Sequence, residues 1–384
     1  MKILLITQLY PLHNTSQNSF ALHYFAKEWS KHNDVHVLRP YLPYENDQLP
    51  DKNNIEIEGI KVSVIKPFWI PVLKRSVFNA EKVLQKLNFK PDIIVSHLYN
   101  SYLNFYKVAK KHNIPFVVGI HNSDLKLLRN KLHKQRALKV IKNADGVVFR
   151  SEALSKQFIN NFGNIDSPVF VANSGLPSNY TSYAKNLLDN KHFIQNSKHI
   201  KFISACSLVK LKHIDKVLRA LSNIQKEGYT NWSYTIIGDG PEERNLKKLT
   251  KDLHIESSVH FTGRLPREQV FEQLKEHHIF VMPSYPETFG LAYLEAMAAG
   301  CIVIGTKGWG IDGIINEGEN GFLCKPYTFK DLHNKLKNLF NFSLLEKNNL
   351  IAKSLNTATS YSSIQMADNY LNFLRQTFNQ NIKK

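Results

Sequence analysis

Met282-Pro-Ser-Tyr-Pro-Glu-Thr-Phe-Gly-Leu-Ala-Tyr-Leu-Glu-Ala-Met-Ala-Ala-Gly300 is the stretch from which the rest of the chain is read. The apolar run His278–Pro283 has the composition of a strand that ends near Pro283. A short loop follows, and then Leu, Glu, Ala and Met favour a helix that begins near Phe289-Gly290 and stops at Gly300. The first amides of such a helix are free and its dipole end is positive, so it suits a diphosphate. Gly290 permits close backbone approach there. Glu287 precedes the helix and Glu295 lies within it. Helical rise over that spacing amounts to about 12 Å, wider than the roughly 5–9.5 Å of a carboxylate pair acting on one glycosidic bond. The two carboxylates therefore do not share a bond. They span an extended ligand, one at each end, or they are a solvated loop glutamate and a helix-face glutamate.

The same alternation of short apolar runs and helical stretches extends to both ends of the 384 residues. Lys2–Thr7, Val35–Arg39, Lys61–Lys66, Asp92–Ser96, Pro115–Ile120, Gly146–Arg150 and Val169–Ala172 read as strands in the first half. Lys201–Ala205, Ser233–Gly238, Ser258–Thr262, Ile302–Gly305 and Gly321–Cys324 join His278–Pro283 in the second. Strands separated by helices form parallel, doubly wound α/β sheets, and strands covered on both faces read as continuous apolar runs. The length suits two such domains. The pattern lapses between Pro177 and His199, which places domains at 1–177 and 200–355 around a linker at 178–199. A last helix, within 356–384, is expected to pack back toward the first domain. Ligands bind beyond the carboxyl ends of such strands, so the chemistry is expected in a cleft between two facing domains.

The Met282–Gly300 stretch closely resembles the E-x7-E motif of the family 4 retaining glycosyltransferases, whose fold is the GT-B pair of Rossmann-like domains. The resemblance implies that Glu287 contacts the donor sugar and Glu295 holds the ribose hydroxyls. It also implies that the amides of Phe289, Gly290 and Leu291 meet the diphosphate. Ser207-Leu-Val-Lys-Leu-Lys212 resembles the family's phosphate-binding stretch, with Lys212 as its lysine. The family often has Arg where this chain has Ser207 and Gly where it has His213. Lys210 or Arg264 would compensate for the missing cation. Ile236-Ile-Gly-Asp-Gly-Pro241 and Phe261-Thr-Gly-Arg-Leu-Pro266 resemble family segments at strand ends, which nominates Gly238 and Arg264 on the donor side. A plain tight turn is the alternative for Gly238, because Glu243 stands where a GxGxxG fingerprint needs its third glycine. Val118-Gly-Ile-His-Asn-Ser-Asp124 resembles the family's H-G-S-D segment and nominates His121 for contact with the donor sugar. Asp124 has the same resemblance or is a helix N-cap. Ala172-Asn-Ser-Gly-Leu176 resembles a family turn, with Asn173 and Gly175 as hinge and turn residues first. The loop Gln8–Asn18 lacks the Gly-Gly pair of many relatives and leaves the acceptor open.

The formal net charge is +18. Lys126, Arg129, Lys131, Lys134, Arg136, Lys139 and Lys142 follow one another with no acidic residue between. Lys66, Lys74, Arg75, Lys82, Lys86 and Lys90 are interleaved with Phe68, Trp69, Ile70, Val72 and Phe78. Basic residues beside aromatics suit an anionic membrane surface, and a solvated helix face is the alternative. No recognition motif accompanies the charge, which argues against nucleic acid. No apolar run approaches the roughly 18–20 residues of a membrane span. With no export signal, the expected place is the cytoplasm, at the inner face of the cell membrane. Cys206, Cys301 and Cys324 match no metal or redox spacing and read as small apolar residues.

The resemblance implies sugar transfer, with retention, from a nucleotide-sugar donor (a UDP-sugar foremost) to a glycan or lipid-linked acceptor in cell-surface polysaccharide synthesis. The chain has no Asp-x-Asp, so no metal or other cofactor is expected, and a helix terminus with Lys212 takes the place of a divalent ion. The alternatives are a sugar-nucleotide epimerase of the same fold or a non-catalytic, membrane-associated sugar-nucleotide binder.

Overall fold

A computed structural model describes residues 1–13, 21–41, 49–70, 75–190 and 199–382. The chain divides into two compact α/β units. The first comprises Met1–Arg150, Leu154–Gly175 and Ser363–Lys384, and the second Ser151–Ala153 and Leu176–Ser362.

The first unit is built on an eight-stranded sheet. Its spatial order is Val169–Val171, Gly146–Phe149, Phe116–Ile120, Ile93–His97, Lys2–Ile6, Asp34–Pro40, Ile60–Ile65 and Asn54–Ile57. All pairings are parallel except the last, at the sheet edge. The central strands are buried along their length apart from Lys2, which is why their sequences are almost unbroken Ile, Leu and Val. Lys2–Ile6 and Ile93–His97 are sheet neighbours although far apart in the chain. The strand order reverses between them, and such sheets bind ligands beyond the carboxyl ends at that point. His97 closes one of these strands, and His121 follows the next strand along, Phe116–Ile120. The helix Ala21–Ser30 buries Leu22, Phe25, Ala26 and Trp29, one stripe at helical spacing. The final helix, Ser363–Ile382, packs on it: Trp29 Nε1–H donates to the Ala367 carbonyl at 3.0 Å, and the Trp29 and Tyr370 rings meet edge-on at 5.0 Å.

The second unit has six strands, all parallel, in the order Val259–Gly263, Trp232–Ile237, Ile200–Ala205, Ile279–Val281, Ile302–Thr306 and Phe322–Cys324. This is the Rossmann order, with its switch point between Ile200–Ala205 and Ile279–Val281. The loops leaving those two strands carry Ser207, Lys212, Ser284 and Glu287. Cys301 and Cys324 are buried in this unit, Cys206 is half-buried, and all three are free thiols.

The expected linker at 178–199 needs correcting. Ser178–Asn190 is a helix of the second unit, packed on the helix Leu344–Ser360. Tyr180, Tyr183, Ala184, Leu187 and Leu188 all join the second unit's core. Their i, i+3, i+4, i+7, i+8 spacing is an apolar helical stripe set among Ser, Thr and Asn. The rest of that span, 191–198, lies outside the described residues. The return of the chain also falls later than residue 356: Leu344–Ser360 stays with the second unit, and the final helix begins at Ser363. The Gln8–Asn18 loop passes out of the described residues beyond residue 13, and Val72 and Lys74 also lie outside them.

Candidate functional site

In the second unit the two sequence-nominated glutamates sit in separate ion pairs. Glu287 Oε2 accepts from Lys212 Nζ at 2.6 Å and from Ser284 Oγ at 3.1 Å, and Oε1 accepts from the Thr288 amide at 3.0 Å. Both partners of the ion pair are largely enclosed, with Lys212 and Glu287 side chains 17% and 14% exposed. Such a pair is worth more than a solvent-facing one. The Tyr285 amide donates to the Leu211 carbonyl at 3.0 Å, and Ser284 Oγ also lies 3.3 Å from it, so the two loops are stitched together around the pair. Tyr285 further stacks on His213 at 3.9 Å and lies beneath Lys216 Nζ.

Backbone geometry explains two features of this site. Gly290 caps the helix Leu291–Ala298 with φ +82°, and a Cβ there would come within 2.5 Å of the Tyr293 ring. A side chain at this position would therefore be strained twice, by its backbone angle and by the ring. No side chain caps that helix start, which follows Glu287 by three residues, so its first-turn amides have no side-chain acceptor. His213, where the family has glycine, is itself left-handed at φ +52°, which accounts for the glycine preference. The missing glycine thus changes the side chain, not the path of the loop.

Glu295 is the one charged residue of its helix, and the flanking Leu294, Ala296, Met297 and Ala298 are buried. Its Oε1 accepts from Arg267 Nε at 3.0 Å and from Nη2 at 2.5 Å. Arg267 is the cation that the sequence reading missed. Arg264 and Lys210, weighed as substitutes, are exposed, as is Ser207. The signal for Arg267 lay only in its place at the start of the helix Arg267–Lys275, just beyond the Phe261–Pro266 segment. Phe289 is buried and Leu291 half-buried. Gly238 has a structural reason of its own. At φ +132°, its Cβ would fall 1.9 Å from the Cys206 carbonyl oxygen, so the glycine lets the two strand-end loops touch.

In the first unit His121 is the N-cap of the helix Asn122–Leu128 and is buried. Its Nε2 lies 3.0 Å from His97 Nδ1, and His97 Nε2 lies 3.2 Å from the Tyr370 hydroxyl. Burial, reinforced by the nearby Arg150 guanidinium, lowers His121 to about 3, and burial drives His97 well below the usual histidine range. Arg150 is itself buried and donates to Ser174 Oγ at 2.6 Å. Asp124 accepts from the amides of Tyr99 at 2.6 Å and His121 at 2.7 Å. The N-cap alternative for Asp124 therefore needs correcting: His121 is the cap, and Asp124, at the third helical position, holds two strand-end loops with its carboxylate. Burial raises its carboxyl to about 7, against the pull of those two amides. Asn173 is half-buried at the end of the first unit, one residue before Ser174. His97, Arg150 and Tyr370 were not nominated from sequence. His97 carried a usable signal, a histidine at a strand's carboxyl end like His121.

Lys126, Arg129, Lys131, Lys134, Arg136, Lys139 and Lys142 are all exposed. Leu132, 72% exposed, stands among them, and Phe68 is 74% exposed on the two-stranded ribbon Phe68–Ile70 and Arg75–Val77. Among the described residues no helix is long and apolar enough to cross a membrane, and no group of three or more His, Cys, Asp or Glu is placed to hold a metal ion.

Two α/β units of doubly wound parallel type, one with the Lys212–Glu287 pair at its strand switch point, belong to the class of folds that bind ligands at the carboxyl ends of their strands. Comparison with known proteins gives the family. The description "Glycosyl transferases group 1" matches residues 188–354 and "Glycosyltransferase Family 4" matches residues 21–178. The chain belongs to the family 4, group 1 glycosyltransferases, enzymes that use sugar donors, and it has their GT-B fold. It is 26% identical over 307 residues to N-acetyl-alpha-D-glucosaminyl L-malate synthase of Bacillus anthracis, covering 76% of each chain. It is 25% identical over 319 residues to alpha-monoglucosyldiacylglycerol synthase of Acholeplasma laidlawii, covering 75% of this chain and 76% of the relative. The solved structure of Anabaena HepE in complex with UDP-glucose superposes with a TM-score of 0.72 at 18% identity, over 98% of this chain and all of the other.

Proposed function

We propose that the chain is a retaining, metal-independent glycosyltransferase that moves a sugar from a UDP-sugar to a glycan or lipid-linked acceptor in cell-surface polysaccharide synthesis. The observation that carries the donor side is the enclosed Lys212–Glu287 pair beside the uncapped start of Leu291–Ala298. Lys212 and the helix amides supply the positive charge that the departing diphosphate needs. Glu287 then faces the donor sugar and Glu295 the ribose, and His121 is the histidine that the resemblance assigns to the donor sugar. The bond from the anomeric carbon to the diphosphate oxygen breaks, a bond to the acceptor oxygen forms on the same face, and the leaving phosphate takes the acceptor's proton. The side chains orient the reactants and stabilise charge, without a covalent intermediate. UDP is favoured because HepE was solved with UDP-glucose.

Incubation with single UDP- and GDP-sugars in the presence of EDTA tests this reading. Turnover of one UDP-sugar is expected, with the product keeping the donor's anomeric configuration. Activity that is lost in EDTA and restored by Mn²⁺, or an inverted product, would refute it. Calorimetry adds a second expectation. Glu295→Ala should weaken UDP binding about tenfold or more, since a charged acceptor for the ribose hydroxyls is lost. Unchanged affinity would remove the ribose assignment.

The acceptor side and the location rest on the two basic stretches. Exposed Leu132 among the lysines of one, and exposed Phe68 two residues from Lys66 in the other, suit the headgroup region of an anionic bilayer. A relative bearing the name of a diacylglycerol-glycolipid synthase supports a lipid-linked acceptor at the inner face of the cell membrane. The protein should co-sediment with phosphatidylglycerol-rich vesicles at low salt and not with phosphatidylcholine vesicles. Reversing Lys131, Lys134 and Lys139 to Glu should lower that binding roughly 100-fold, as should raising the salt. Wild-type protein that stays in the supernatant with the anionic vesicles would leave the charge merely solvated.

A further inference from the structure

We propose that His97, backed by Tyr370 of the final helix, is a positioning residue for His121: the buried Tyr370–His97–His121 chain fixes both the ring and the proton of His121. The proposal rests on the reading of His121 as a residue that acts on the donor sugar.

The site is shaped for the His97 ring. Gly119 pairs with His97 across adjacent parallel strands, and a Cβ on Gly119 would lie 2.0 Å from His97 Nδ1. Glycine at that position clears the space in which the two imidazoles meet, with ring centroids 5.2 Å apart and planes at 72°. Tyr370 closes the other end. It is fully buried, among the rings of Phe25, Trp29 and Phe170 at 5.4, 5.0 and 5.8 Å.

Hydrogen-bond bookkeeping then sets the direction of the chain. Among the described residues, the Tyr370 hydroxyl has one hydrogen-bond partner, His97 Nε2. A buried hydroxyl that cannot donate forfeits about 1–3 kcal/mol, so Tyr370 donates and His97 Nε2 accepts. The His97 proton therefore sits on Nδ1 and is donated to His121 Nε2. His121 is left with its own proton on Nδ1. A capping box also brings the Asp124 amide to the His121 side chain, but that amide is already satisfied by the His121 carbonyl at 3.0 Å, whereas the Tyr370 hydroxyl has no second acceptor among the described residues, so the hydroxyl sets the direction. The outcome is a neutral imidazole locked along its Nε2 edge, with Nδ1–H as the donor it can offer a sugar oxygen. Arg150 beside the chain and the burial of both rings keep an additional proton out. The final helix thereby completes the first unit's site, although it is the last segment of the chain.

Imidazole nitrogen NMR on ¹⁵N-histidine-labelled full-length protein reads the tautomer directly. His121 should show the Nδ1–H tautomer at neutral pH in the wild type. Tyr370→Phe, nearly isosteric, should let the Nε2–H form appear and should lower kcat about tenfold with UDP affinity unchanged. His97→Gln should lower kcat at least as far. A merely structural Tyr370 would change stability and leave the tautomer alone. The proposal is overturned if wild-type His121 carries its proton on Nε2, or if Tyr370→Phe leaves both tautomer and kcat as they were. Full turnover in His121→Ala would instead end the donor-sugar reading, and it would do so whatever tautomer the spectra show.

Discussion

Glu287→Gln is expected to cut turnover about 10²-fold or more while leaving UDP binding no weaker than in the wild type. The asymmetry follows from the ion pair. In the free protein Lys212 Nζ is held by Glu287 Oε2 at 2.6 Å, and Ser284 Oγ shares that oxygen. Glutamine keeps the shape and the polar contacts but removes the charge that neutralises Lys212. The lysine then has less to give up when a diphosphate arrives, so affinity for UDP holds or rises. Turnover falls because the reacting sugar develops positive charge that only a carboxylate stabilises. Lys212→Ala should behave differently, weakening UDP and slowing turnover together, since the phosphate loses its cation in both the ground and transition states. Calorimetry with UDP beside steady-state kinetics separates the two patterns. A Glu287→Gln protein that turns over normally but binds UDP tenfold more weakly would assign the carboxylate to binding instead.

Much of this site was legible because its residues are close in sequence. Met282–Gly300 holds a strand end, a loop, a glycine cap and both glutamates within one strand–loop–helix unit, so spacing places them on loop and helix, while the roles given to them rest on the family resemblance. What escaped notice was assembled by the fold. Arg267 and Glu295 meet only because the helices Arg267–Lys275 and Leu291–Ala298 pack side by side. Tyr370 reaches His97 from 273 positions away in the chain. The helix Ser178–Asn190 was hidden for another reason: its tyrosines and leucines are diluted by Ser, Thr and Asn, residues that favour turns when they stand alone. Gly119 draws no reading of its own from sequence, and Gly238 reads as a donor-side residue or a plain tight turn; what each glycine makes room for shows only once the His97 ring and the Cys206 carbonyl are in place opposite them.

The buried histidines should also make the first unit sensitive to acid in a way that one substitution relieves. His121 is lowered to about 3 in the folded chain, by burial first and by Arg150 second, against about 6.5 in the unfolded chain. Below pH 6.5 the unfolded state therefore binds a proton that the folded state refuses. Stability is lost as pH falls, by about 1.4 kcal/mol for each pH unit below that point. Between pH 6.5 and 4.5 the loss attached to His121 is about 3 kcal/mol. His97, also lowered by burial, acts in the same sense. Asp124 acts in the opposite sense, because its carboxyl is raised to about 7 in the fold and so binds its proton more readily there than in the unfolded chain. The wild-type curve alone therefore mixes the two, and the comparison with His121→Gln isolates one. At pH 7.5 the variant should be the less stable protein, having lost the contact with His97. At pH 4.5 that deficit should shrink by about 3 kcal/mol, or reverse, because glutamine has no proton to refuse. Hydrogen exchange of the amides in Ile93–His97 and Phe116–Ile120 reports the first unit by itself, apart from the unfolding of the second. A stability difference between wild type and variant that is the same at both pH values would mean that His121 takes up its proton in the fold as readily as out of it, and the neutral, locked imidazole would have to be abandoned.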